Sequence, residues 1–295
     1  MLGAIVPVDP AAAAKARICQ EQEQHYEQIE ASAGPLEINA ALDAAADKDC
    51  IDLARRLLDA GASLAARDRL GAMALSHAAK AGHLDIVDLF LSRGAAVNAR
   101  NLAGSTALYL AAEEDNRPIV QTLIAHGGDV NLPGESGLTP IAAAAYMGNA
   151  PLVSLLIESG ADLKAADSSG KTPICYAGGR GFTPVVRLLL DHGIDVNARY
   201  GNDLTALMWV AGHADAAGTN DVADLVTLLI ARGARLDDQD NRGRTALMIA
   251  ASLGHDKAVE LLLEHGADKR LLDKTGKTAA DLSTSETLKA KLATE

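Results

Sequence analysis

The sequence predicts an all-α protein built from repeated two-helix units, and two series of residues carry this prediction. A glycine follows an aliphatic run at positions 61, 94, 127, 160, 193, 233 and 266. A second series lies upstream in each unit: Met73, Thr106, Thr139, Thr172, Thr205, Thr245 and Thr278. Both series advance by 33 residues and share a single step of 40 at the same place. This agreement indicates a repeat rather than a chance spacing.

The composition supports the same fold class and restricts the partners. Of the 295 residues, 48% are hydrophobic but only 3% are aromatic, so we expect a core of thin layers of Ala, Leu, Ile and Val. The 27 basic and 39 acidic residues give a net charge of -12. This charge argues against nucleic acid and anionic membranes as partners, because both attract basic proteins. We expect a protein partner with a basic or mixed surface, and a monomer when the chain is alone.

Each unit is expected to contain two helices, as residues 104–131 illustrate. Thr106 follows a Gly-Ser turn and can cap a short Ala-rich helix over residues 107–114. Pro118 stands near the start of the second helix, where its fixed φ is tolerated. An aliphatic stripe follows, and Gly127 ends that helix.

Several segments resemble ankyrin repeats. Residues 139–145, 155–163 and 254–268 follow the pattern Thr-Pro-Leu-His-x-Ala-Ala, then Gly-His, then Val-x-Leu-Leu-Leu-x-x-Gly-Ala-Asp. The resemblance covers residues 36–295 and implies a solenoid of about seven to eight stacked helix–turn–helix repeats with projecting β-turn loops. It departs locally, for example at Asp203, which replaces a turn glycine.

The predicted organisation has three parts. Residues 1–8 form a flexible N-terminus, residues 9–35 a helix packed on the first repeat, and residues 36–295 the ankyrin-repeat domain. In the last unit, Ser283 and Glu286 have the spacing of a capping box. The expected repeats are 36–68, 69–101, 102–134, 135–167, 168–200, 201–240 with a seven-residue insertion, 241–273, and 274–295 as a polar C-terminal cap.

The cysteines leave two interpretations open. Cys19 lies in the N-terminal helix and Cys50 in the first repeat. A disulfide between them would pin the helix to the repeats and imply an oxidising compartment, whereas two unrelated free thiols fit a reducing one. From the sequence alone the free thiols are favoured. We expect no membrane insertion and either a cytoplasmic location or, after removal of a signal peptide, a bacterial periplasmic one.

The step of 40 places extra residues at 212–221. They are either a tolerated surface insertion or an extension of the binding surface. His213 and Asp215 suggest a metal ligand set, but the spacing fails the calcium-loop pattern, since Asn220 stands where glycine is required. We therefore expect no metal and no cofactor.

In the family that the chain resembles, partners lie along the turn tips and the exposed ends of the first helices. Tyr146 and Met147 offer a ring and a thioether at such helix ends, which suggests an anchor. Tyr176 and Trp209 recur in one column that begins at His77, and that column either packs between layers or forms a binding patch. The candidate partner-binding residues are Glu113, Glu114, Tyr146, Met147, Tyr176, Arg180, Tyr200, Asn202, Trp209, His213 and Asp215.

The motifs of common catalytic sites are absent from the sequence: there is no Gly-x-Ser-x-Gly, Walker-type or His-Glu-x-x-His motif. We expect no enzyme. The predicted function is a non-catalytic interaction module that binds a partner protein or peptide along its concave groove as a scaffold, inhibitor or assembly factor. The alternative is a small-molecule or metal-responsive binding protein that uses the loop at 212–221.

Overall fold

A computed structural model describes residues 10–212 and 221–293. The predicted flexible N-terminus, residues 1–8, lies outside the described residues. Within them, every regular element longer than a single turn is an α-helix, which confirms the predicted all-α fold class. The chain divides into two compact units, one ending at Glu135 and the other beginning at Ser136. None of the described helices is both long and apolar enough to cross a membrane.

The first unit contains an N-terminal helix and three helix pairs. The two helices of each pair contact each other, and each first helix also contacts the first helix of the next pair. The helices are α1 (Pro10–Ile29), α2 (Pro35–Asp47), α3 (Ile51–Asp59), α4 (Ala74–Ala81), α5 (Leu84–Ser92), α6 (Ala107–Glu113) and α7 (Arg117–Ala125).

The second unit continues the same arrangement with five pairs, of which the last is short. First helices again contact first helices, as α8 with α10 and α12 with α14. The helices are α8 (Pro140–Met147), α9 (Ala150–Glu158), α10 (Pro173–Gly178), α11 (Thr183–Asp191), α12 (Ala206–Ala211), α13 (Asp221–Ala231), α14 (Ala246–Leu253), α15 (Asp256–Glu264), α16 (Ala279–Leu282) and α17 (Glu286–Ala293).

The threonine series starts the first helices, as expected. Thr106 Oγ1 accepts the backbone N–H of Tyr109 at 3.1 Å, and Thr245 Oγ1 accepts that of Met248 at 3.2 Å. Each bond satisfies one of the amides that a helix start leaves without a partner. Thr172 is an exception, because it makes no such bond and its hydroxyl contacts Cys175 Sγ at 3.5 Å instead.

The layers are thin, and alanines and branched aliphatics fill them. Ala111 and Ala112 on α6 and Ala144 and Ala145 on α8 are fully buried. Such small side chains let neighbouring helices approach closely, while the second helices supply larger aliphatics such as Leu156. This arrangement accounts for the scarcity of aromatic residues.

A recurring aspartate builds the turns between repeats. Asp167 Oδ1 accepts the backbone N–H groups of Ser169 and Lys171 at 2.8 and 2.9 Å. Asp240 Oδ1 accepts those of Arg242 and Arg244, both at 2.8 Å. These bonds satisfy amides that no helix pairs, so the turn is fixed by a local side chain.

The N-terminal helix lies against the first repeat. This helix, α1, contacts both α2 and α3, and its Tyr26 is almost completely buried. Arg56 on α3 stacks over the Tyr26 ring, with its guanidinium carbon 5.4 Å from the ring centroid. A disulfide joins Cys19 on α1 to Cys50, with the two Cα atoms 5.2 Å apart.

The predicted capping box at the last helix is wrong. α17 begins at Glu286, and the hydroxyl of Ser285 accepts the N–H of Leu288 at 3.3 Å. Ser283 instead accepts the N–H of Ser285 at 3.2 Å, inside the turn that precedes the helix. The residue that caps the last helix is therefore Ser285, two positions later than the sequence pattern predicts.

Candidate functional site

The ends of four successive first helices line a cavity of about 530 Å³ in the second unit. Tyr146 comes from α8, Tyr176 from α10 and Trp209 from α12, and Ile249 and Leu253 from α14 complete its apolar side. This cavity is called the aromatic groove below. Three of the sequence-predicted residues therefore lie together, and a fourth, Arg180, also lines the groove.

The rings of the groove are arranged as an interacting set. Tyr146 and Tyr176 meet edge to face, with ring centroids 6.0 Å apart and planes at 81°. This geometry brings the positive edge of one ring to the negative face of the other. Tyr146 is 44% exposed and its neighbour Met147 46% exposed, so a large apolar area at the end of α8 faces solvent.

Two cations lie over these rings. Lys171 Nζ is 5.6 Å from the Tyr176 centroid and 5.5 Å from the Trp209 centroid. The guanidinium carbon of Arg180 is 4.1 Å from the Tyr146 centroid. Each pair is an attraction between a positive charge and the negative face of a ring, so the cations help to hold the rings in place.

The hydroxyl of Tyr176 is anchored inside the protein. It donates a short hydrogen bond to Asp167, the turn residue nine positions earlier. Burial opposes ionisation of this carboxyl, but the hydrogen bonds from Tyr176, Lys171 and Ser169 outweigh it and lower the pKa of Asp167. Asp167 therefore fixes both the turn and the ring that stands over it.

Trp209 contributes a buried and unsatisfied donor. Among the described residues its Nε1–H is enclosed and has no hydrogen-bond partner. Leaving such a group without a partner costs about 1–3 kcal/mol. The Trp209 ring is half-buried beside Lys171.

The structure does not bring the other predicted residues into the groove. Tyr200 lines a separate cavity of about 520 Å³, where burial raises its pKa to about 12. Asn202 lies at a turn tip, and its backbone oxygen accepts the N–H of Asn241 at 3.1 Å. Glu113 and Glu114 are exposed in the first unit, and Glu113 accepts the Tyr109 hydroxyl at 3.1 Å. His213 and Asp215 lie outside the described residues.

A different site occupies the first unit. There His77, at the start of the aromatic column, contacts Asp47 through Nδ1 at 3.0 Å and Asp68 through Nε2 at 3.2 Å. Asp43 lines the same cavity of about 770 Å³. Burial raises the pKa of Asp43 to about 6, helped by the charges of Asp68 and Asp47 and opposed by His77. This cavity was not among the predicted sites.

The described part of the chain offers little for metal or thiol chemistry. Within residues 10–212 and 221–293, no three His, Cys, Asp or Glu side chains are grouped so that they could hold a metal ion. Cys175, the free cysteine there, is buried, and burial raises the pKa of its thiol. The metal-responsive alternative therefore rests on the loop at 212–221, most of which is not described.

Sequence reasoning missed two cations of the groove, Lys171 and Arg244. Both directly precede a threonine of the series, Thr172 and Thr245. Reading that column across repeats would have identified three basic residues in the second half of the chain: Lys171, Arg244 and Lys277. In the structure, the Lys171 side chain lies over the rings of Tyr176 and Trp209, and Arg244 lines the same groove.

A family model described as "Ankyrin repeats (3 copies)" matches residues 42–134, 126–200 and 213–290. The NAD-capped RNA hydrolase NUDT12 of Homo sapiens is 37% identical over 68 residues, 23% of this chain and 15% of the hydrolase. Ankyrin repeat domain-containing protein 63 of Homo sapiens is 40% identical over 72 residues, 24% of this chain and 18% of that protein. The matched stretch thus spans less than a fifth of either relative.

Proposed function

Since the chain belongs to the ankyrin-repeat family, whose repeats generally mediate protein–protein interaction, we propose that it binds a partner protein or peptide through the aromatic groove. It acts as a scaffold, inhibitor or assembly factor and performs no catalysis. The observation that carries this proposal is the clustering of Tyr146, Tyr176 and Trp209 at one groove in a chain that is only 3% aromatic.

The physical character of the groove supports a macromolecular ligand. Leu253 is 54% exposed at the rim, and Tyr146 and Met147 are nearly as exposed. Aromatic side chains, Met and Arg are enriched in the cores of protein interfaces, and a few such residues carry most of the binding energy. A partner that covers these side chains removes apolar surface from water and gains the corresponding free energy.

The relatives give no reason to propose an enzyme. The hydrolase shares with this chain only a 68-residue segment, 15% of its own length. The described titratable groups of the aromatic groove also lack an acid–base pair, because its ionisable side chains are cations, tyrosines and the buried thiol of Cys175.

The proposal is tested by affinity capture of the native partner, followed by measurement of its dissociation constant with purified variants. Tyr146→Ala/Met147→Ala and Trp209→Ala are each expected to weaken binding at least about tenfold, as interface anchors do. Arg187→Ala, on the exposed side of α11 and away from the groove lining, is the matched control and should bind like the wild type. Unchanged affinity in both groove variants would contradict the proposal.

A further inference from the structure

The aromatic groove has a charge opposite to that of the whole protein. Four basic side chains line it: Lys171, Arg180, Arg242 and Arg244. None of its described lining residues is an aspartate or glutamate. The groove therefore has a local excess of positive charge in a chain with a net charge of -12.

The cations retain hydrogen-bonding capacity for a ligand. Arg180 is exposed, and its guanidinium group lies over the rings of Tyr146 and Phe182. The Arg242 side chain is 62% exposed, and the one ion pair that it makes among the described residues is with Asp240, at 3.5 Å. Among the described residues, Arg244 Nε–H is buried without a hydrogen-bond partner. Guanidinium groups in this condition favour a carboxylate, which accepts two parallel N–H bonds.

The groove also needs an apolar partner group. Ile249 and Leu253 lie beside the cations, and Tyr146 is 44% exposed. An extended peptide that places an apolar or aromatic side chain next to its carboxylates satisfies both requirements. Single-stranded nucleic acid also combines rings with negative charge, but it needs a basic track along its backbone, which the acidic composition of this chain does not favour.

We infer that the aromatic groove binds a short acidic peptide segment of its partner, with an apolar side chain against the rings and carboxylates on Arg180, Arg242 and Lys171. This inference rests on the proposed function and specifies its ligand. It reverses the expectation of a basic partner, which followed from net charge. The positive charge of the groove, rather than the negative net charge of the chain, determines which ligand is attracted. Charges farther away than about 10 Å are screened at ordinary ionic strength.

The test is selection of random peptides, displayed on phage, against the immobilised full-length protein. The enriched peptides should be acidic and contain an aromatic or large aliphatic residue. As the only tryptophan, Trp209 reports occupancy of the groove directly, so its emission should change on titration with the selected peptides.

The charge dependence is tested with Arg180→Glu/Arg242→Gln, expected to bind the selected peptides about tenfold or more weakly. Arg187→Glu/Lys257→Gln changes the net charge equally on exposed residues outside the groove lining and should bind normally. Thermal melts confirm that both variants fold.

Three results would overturn the inference, and they separate it from the proposed function. If the enriched peptides are neutral or basic and do not bind the Trp209→Ala variant, the groove is a peptide site but its ligand is not acidic. If oligothymidylate binds the groove as tightly as the peptides do, the inferred ligand class is wrong and the ligand is a single-stranded nucleic acid. Failure to select any peptide that depends on Trp209 or Tyr146 would contradict the inference, whereas the proposed function fails only if the captured partner binds both groove variants with unchanged affinity.

Discussion

Tyr176 donates a hydrogen bond to Asp167, and through it a ring of the aromatic groove is tied to the turn that begins its own repeat. The same aspartate accepts two backbone amides of that turn. The Asp167 side chain therefore links the turn to the aromatic groove. In the first unit, His77 and Asp68 have the same nine-residue separation and also contact each other.

Tyr176→Phe tests this link. It removes the hydroxyl and should lower the free energy of unfolding by about 1.5 kcal/mol at pH 7, since bonds to charged groups are among the stronger ones. The folded pKa of Asp167 lies below its ordinary value of 3.8, so its contribution to stability is present above that value and is lost as pH falls through the folded pKa. Urea denaturation should therefore show a smaller difference between variant and wild type at acid pH. An equal difference at both pH values would contradict this.

Asp43→Asn should stabilise the protein above pH 6. Burial raises the pKa of Asp43 from 3.8 to about 6, so the folded state disfavours its charged form at neutral pH. The neutral amide avoids this penalty, which we expect to be worth about 2 kcal/mol. The advantage should shrink as pH falls from 6 and disappear well below 3.8, where the wild-type carboxyl is protonated in both states. If the gain in stability is unchanged at pH 3.8, it does not come from the ionisation of Asp43.

Cys19→Ser/Cys50→Ser should destabilise the protein by about 3 kcal/mol, because the crosslink spans 31 residues and restricts the unfolded chain. Thermal melts measure the loss, and a reductant should shift the wild type but not the variant. Thiol titration of the denatured, unreduced protein should find one thiol, Cys175, of the three cysteines. Three thiols would contradict the disulfide.

Asp203→Gly should raise the melting temperature. Asp203 has φ +60° at a position where the neighbouring repeat has Gly243 at φ +77°. Side chains at such φ values cost about 1 kcal/mol relative to glycine, part of which the greater freedom of unfolded glycine offsets. The reverse control is Gly243→Ala, which should destabilise, since its Cβ would lie 2.8 Å from the backbone nitrogen of Lys274. A lower melting temperature for Asp203→Gly would contradict the argument.

The fold could be predicted from the sequence because its determinants are local. Thr106 caps a helix that starts directly after it, and Gly127 lies just beyond the end of the next one. Predictions failed where two local signals compete: Ser283 and Ser285 can both precede a helix, and the turn gives the cap to Ser285.

The candidate site was predicted only in part because it depends on neighbouring repeats. The column spacing was enough to place Tyr176 and Trp209 together. It could not separate Tyr200, whose ring turns into another cavity, from the rings of the groove. Nor could it identify Lys171 as the cation shared by two rings, since that contact crosses from one repeat to the next.

Site-specific photocrosslinking tests most directly the claim that the aromatic groove is the partner-binding surface. The full chain is prepared with benzoylphenylalanine at Tyr146 or, as a control, at Arg187, and is irradiated with the captured partner. We predict a covalent adduct from position 146, its loss when Trp209→Ala is added, and no adduct from position 187. An adduct from position 187 without one from position 146 would contradict the account.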